Sequence, residues 1–108
     1  MNFSEYQELA KTTLNTELNP EQRVSMTVLG LTGESGEVAN MIKKMLYHGH
    51  PIGHRDLAKE LGDVLWYLAM VADVFGLKLE DIAQHNINKL KARYPEGFSE
   101  YNSINRKV

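Results

Sequence analysis

The chain has no cysteine, so neither a disulfide framework nor a thiolate metal site is available, and a cytoplasmic setting fits better than a secreted one. It has no long apolar run: the longest, Val64 to Ala72, is about half of what a membrane span needs. Nor does it carry a surplus of positive charge. The net charge of -2 supplies no basic field for unspecific attachment to a nucleic-acid polymer or a membrane surface. The opening residues, Met1 to Tyr6, lack the basic region and apolar run of a signal peptide. Low-complexity tracts, internal repeats and linkers are missing too, and a composition with 43% hydrophobic and 24% charged residues argues against extended disorder. The expectation is one globular domain over 1–108, with its core at about 20–98 and 99–108 as a peripheral tail. At this size, association between copies commonly adds buried area.

The pattern that is present is helical. Ser4 followed by Gln7 reads as a capping box, and Phe3, Tyr6, Ala10, Thr13 and Leu14 recur at helical spacing, which predicts a first helix from about Ser4 to Leu14. Asn19-Pro20-Glu21 reads as the next start, with a cap, a proline at the first helical position and an acid suited to the helix dipole. This second helix extends to about Tyr47, and Val24, Val28, Leu31, Ser35, Val38, Ile42 and Met45 form a seam for another helix. Gly30, Gly33 and Gly36 each weaken it by about 1 kcal/mol relative to alanine. Their presence predicts the close approach of a neighbouring helix or a ligand. His48 to His54 carries glycine and proline and is the loop of a hairpin. The third helix runs from about Arg55 to Phe75, with Leu57, Leu61, Val64, Leu68, Val71 and Phe75 as its seam and Gly76 as its stop. The fourth runs from about Leu79 to Arg93 and ends at Tyr94-Pro95, its core-facing stripe interrupted by Asn86. Phe98 to Val108 is expected to be irregular. The fold class is all-α, an antiparallel helical hairpin within a four-helix bundle.

Two pairs of acids flank the hairpin loop, Glu34 with Glu37 and Glu60 with Asp63. Residues three apart on a helix lie nearly above one another, so each pair projects toward one point, and antiparallel helices would let four acids meet. A single Glu-x-x-Glu is usually solvated surface. Here both pairs stand one residue off an apolar seam, beside Gly36 and Gly62. Partly desolvated carboxylates need basic partners or a metal, and Lys43, Lys44 and Lys59 have stems better suited to the rim. Oxygen-only ligation favours Mg²⁺, Mn²⁺ or Ca²⁺.

Three blocks now stand in order: Leu31 to Val38, Glu60 to Leu65, and Asn86 to Phe98. Together they resemble the MazG-like nucleotide pyrophosphohydrolases, over about Val24 to Phe98. The resemblance implies an all-α enzyme that cuts a nucleoside triphosphate between the α and β phosphates, giving monophosphate and pyrophosphate, in nucleotide-pool housekeeping. It implies that Glu34, Glu37, Glu60 and Asp63 are the catalytic carboxylates and hold Mg²⁺, with Mn²⁺ as an alternative. One of Glu34, Glu37 or Glu60 would orient or deprotonate the attacking water. Gly33 stands where the family pattern has a further glutamate, leaving the four-acid set intact.

Cations are expected at the far end of a phosphate chain. Asn86, Lys89 and Arg93, spaced i, i+3, i+7, form one column on the fourth helix. Alone they would as readily be ordinary carboxyl-end cations and a core asparagine, and the resemblance tips them toward phosphate or sugar contact. Lys43 is a further substrate-binding candidate, with Lys44 beside it. Tyr67, on the column of Glu60 and Asp63, is the candidate for stacking on a base, whereas Trp66 reads as core. His48, His50 and His54 match no structural zinc spacing, and the glycines form no phosphate loop.

Other functions fit less well. A phosphoribosyl-ATP pyrophosphatase would share the chemistry. A ferritin-type di-metal protein calls for Glu-x-x-His motifs that are absent. A non-catalytic helical metal-binding or interaction module would keep the fold, and Gly33 is the one feature pointing there. Seams on both long helices with one short helix to cover them predict a homodimer or homotetramer.

Overall fold

The computed structural model describes residues 1–107; Val108, the last residue of the expected tail, lies outside them. Five helices follow in order, α1 (Phe3–Lys11), α2 (Pro20–His48), α3 (His54–Val74), α4 (Leu79–Arg93) and α5 (Glu100–Ile104), and none of the described residues forms a strand. The α2 start carries the proline and cap expected, completed by a reciprocal box: Gln22 N–H donates to Asn19 Oδ1 at 2.8 Å, and Asn19 N–H to Gln22 Oε1 at 3.0 Å. Gly49, at φ 68°, ends α2 in the left-handed region that a side chain would resist. α3 then returns antiparallel to α2 and packs along it, forming the hairpin.

α1 departs from expectation at both ends. Its cap is Asn2, whose Oδ1 accepts from Glu5 N–H at 2.8 Å, and Ser4 instead donates its hydroxyl to Glu80 of α4. The helix stops at Lys11 because Thr12 and Thr13 turn their hydroxyls onto the Leu9 and Ala10 carbonyls, at 2.6 and 2.9 Å, and the chain tightens into turns. Gln7 is not a capping partner either. It is buried, donating to the carbonyls of Ala69 (3.4 Å) and Leu77 (3.0 Å) and accepting from Leu79 N–H (2.9 Å), so one side chain ties α1 to the end of α3 and the start of α4.

The core is small: Ala10, Leu14, Ala69, Met70 and Leu79, with Tyr6, Met26, Leu65 and Trp66 packed against it. The seam expected on α3 is only half covered. Leu57, Val64 and Val71 are partly buried, whereas Leu61, Leu68 and Phe75 are exposed at 50%, 38% and 59%. α3 instead turns Trp66, Ala69 and Met70 toward α1, where Trp66 Nε1 donates to Ala10 O and Thr13 Oγ1. α4 meets α1 and, more sparsely, α3. Consequently Asn86 interrupts nothing buried: it is exposed, as are Ile87 and Leu90 on the same helix. The tail contains a helix where irregular chain was expected, capped by Ser99 accepting from Asn102 N–H at 2.9 Å.

The chain is open in shape. Its radius of gyration is 17.1 Å, where a compact chain of this length has about 13 Å. Its accessible surface is 8140 Å², against about 6100 Å² for a compact monomer of this mass.

Candidate metal centre

α2 and α3 pack along each other, and one of their contacts is especially close. Tyr67 of α3 lies against α2 at Gly30, so closely that any Cβ there would overlap the ring. Gly33 and Gly36 have open space beside them, so the expected close approach occurs at the first of the three glycines and not at the others. Glu34 lies one turn beyond Gly30, and Asp63 one turn before Tyr67, so the register that seats the ring also brings the acids together.

One carboxylate oxygen from each of Glu34, Glu60 and Asp63 lies within 4.8 Å of the others. Glu34 and Glu60 are partly buried and Asp63 is exposed. Desolvation raises the proton affinity of Glu34 above that of an ordinary carboxyl, and the charges of Asp63, Glu60 and Glu37 and a hydrogen bond with Glu60 raise it further. Glu37 is therefore close enough to act on Glu34, yet it stands outside the triad and is exposed. No ion pair neutralises the triad among the described residues, where Lys11 and Asp73 pair elsewhere at 3.4 Å. Three convergent oxygens from two helices, mutually repelling and without a cationic partner, are a donor set that fits a hard divalent cation.

Tyr6 of α1 reaches the same neighbourhood. Burial raises the affinity of its phenol for its proton, and the charge of Asp63 adds to it. Sequence spacing identified the helix that carries Tyr6, but its approach to Asp63 depends on how α1 crosses α3.

The other candidates are dispersed. Asn86 and Lys89 line a groove of about 700 Å³ at the α3–α4 elbow, together with His85, Lys78 and Gly76. Gly76 is thirteen residues beyond Asp63, so this groove lies roughly 20 Å along the α3 axis from the triad of the same chain. Arg93 is partly buried at the end of α4, its guanidinium 5.9 Å from the Tyr94 ring centre. Tyr67 is partly buried against Gly30 and meets Trp66 edge to face, with ring centres 4.9 Å apart. Lys43 is exposed and, nine residues past Glu34, falls on the opposite side of α2. Its neighbour Lys44 instead lines a small cleft at the hairpin turn with Met41, His50 and Asp56.

The family model for the MazG nucleotide pyrophosphohydrolase domain matches residues 22–98. A curated relative, the "Gene 37 protein" of Mycobacterium phage L5, is 38% identical over 87 residues, covering 77% of this chain and 76% of its own. No solved structure matches.

Proposed function

The chain belongs to the MazG nucleotide pyrophosphohydrolase domain family, and from that premise we propose that it hydrolyses nucleoside triphosphates at the α–β phosphate bond, dependent on Mg²⁺ with Mn²⁺ as a substitute. The observation that carries this reading is the convergence of Glu34, Glu60 and Asp63 within 4.8 Å, inside the matched segment. A triphosphate is an anion and would be repelled by the bare acids. A divalent cation, when bound, supplies charge neutralisation between carboxylate and phosphate oxygens and a more acidic water.

The chain's own residues do the rest. Glu34, Glu60 and Asp63 hold the cation. Glu37, beside Glu34 but outside the triad, is the carboxylate free to take the water's proton. The water oxygen bonds to one phosphorus of the α–β bridge, the bond from that phosphorus to the bridging oxygen breaks, and its electron pair departs with the leaving group. The products are monophosphate and pyrophosphate, consistent with cytoplasmic nucleotide-pool housekeeping. Product analysis across a nucleotide panel tests this: pyrophosphate should appear with Mg²⁺ and not without it, and orthophosphate release would refute the bond assignment.

The working unit in this proposal is a homodimer or a pair of such dimers, its subunits completing a four-helix bundle around the hairpin. The surface in excess of a compact monomer, about 2000 Å², is on the scale of a stable interface. Leu61, Leu68 and Phe75, seven apart and exposed, form a stripe of coiled-coil spacing for that contact. Assembly is also the route by which the Asn86–Lys89 groove, remote from its own triad, would serve a partner's substrate.

A further inference from the structure

The hairpin turn carries a small cleft on the same face as the acids. Its walls are Met41 and Lys44 of α2, His50 to Ile52 of the turn and Asp56 of α3, around about 120 Å³. Met41 is seven residues past Glu34 and four past Glu37, and Asp56 is four before Glu60 and seven before Asp63. These are same-face spacings on both helices, so the cleft adjoins the triad, displaced toward the turn by roughly 6–10 Å. Lys44 is likewise seven residues past Glu37.

The segment that forms the turn is rich in positive charge, while the cleft wall itself sets Lys44 against Asp56. From 43 to 59 the chain carries Lys43, Lys44, Arg55 and Lys59 against one acid, Asp56, plus three histidines, although the whole chain is at -2. The Lys44 ammonium and the His50 imidazole have no hydrogen-bond or ion-pair partner among the described residues. The backbones that carry them are tied together, because the N–H groups of Gly49 and His50 fold onto the Lys44 carbonyl. The cleft is small and open to solvent, which suits phosphoryl groups better than a nucleoside.

We propose that Lys44 and His50 form the subsite for the β and γ phosphates, and hence for pyrophosphate after cleavage. This rests on the reading of the triad as a nucleotide site and adds a direction to it: the phosphate chain points to the hairpin turn and the nucleoside away from it. The α–β bridge then lies at the acids, and Lys44 and His50 face the negative charge of the pyrophosphate that cleavage produces.

Calorimetric titration of magnesium pyrophosphate into the full chain reads the subsite without turnover. Lys44→Ala and His50→Ala should each weaken pyrophosphate binding about tenfold or more, as loss of a charge-assisted hydrogen bond implies, while Lys44→Arg retains most of it. The same variants should raise the inhibition constant of pyrophosphate, leave that of the nucleoside monophosphate unchanged, and keep the Mg²⁺-induced rise in melting temperature. Equal pyrophosphate affinity in wild type and both variants, or no affinity in wild type, overturns the subsite. Absence of triphosphate turnover with pyrophosphate binding intact would instead defeat the proposed reaction and leave the subsite standing.

Discussion

Glu34 sits where desolvation and three neighbouring carboxylates all favour its protonated form. Its affinity in the folded chain lies above the ordinary value of 4.5, so the folded state holds this proton more tightly than the unfolded state does. Metal-free stability should therefore fall as pH rises from about 4.5 through the raised folded value. Glu34→Gln should flatten that dependence relative to wild type, followed by thermal melts across pH. The same variant should abolish most of the Mg²⁺-induced stabilisation and lower turnover by about 100-fold or more. Gln7 is the residue-scale counterpart for the fold. Gln7→Leu leaves Leu79 N–H and the Ala69 and Leu77 carbonyls without their side-chain partner, and denaturant unfolding should read a loss of about 1–3 kcal/mol. The i, i+3 spacing singled out four acids, of which Glu34, Glu60 and Asp63 converge and Glu37 stands outside them, because sharing a helix face does not fix where each side chain ends. The role of Gln7 was not legible in the sequence: a glutamine three residues after a serine fits a cap equally well, and only the crossing of α1 over α3 decides otherwise.

At the scale of elements, caps and breakers marked most of the fold. Asn19-Pro20 and Gly76 bracket what they were expected to bracket, because capping is a local hydrogen-bonding problem that the chain carries with it. The α3 seam was misjudged for the opposite reason. Leu61, Leu68 and Phe75 recur at an interface spacing, yet among the described residues no element covers them fully. Periodicity reports that a face is apolar and says nothing about what lies against it. α5 was missed because five residues are too few for a period to show. Packing between α2 and α3 should be most sensitive at Gly30. Gly30→Ala should destabilise by about 1–3 kcal/mol through overlap with Tyr67, and combining it with Tyr67→Ala should recover part of that loss in a double-mutant cycle.

For the whole molecule, a 17.1 Å radius of gyration is what supports the proposed association with another copy. Sedimentation at micromolar concentration should find a species larger than 12.3 kDa, and a 12.3 kDa species alone would remove the assembly proposal. Leu61→Asp with Leu68→Asp should shift the distribution toward monomer and lower specific activity on dilution. The proposal of an assembly rests on apolar faces outnumbering the helices available to cover them. Its symmetry is not legible in the sequence, since nothing in one chain's spacing says which copy meets which face.

The Tyr67 ring seated at Gly30 acts as a pawl. It stands four residues from Glu34 on one rod and four from Asp63 on the other, so whatever thickness fills that notch sets the bite of the claw one turn away. Wedging the rods apart by a single methyl would widen the jaws without touching a tooth, and ionic selectivity should drift from magnesium toward calcium. In the proposed metal site the choice of ion would thereby be governed by a position that never contacts it.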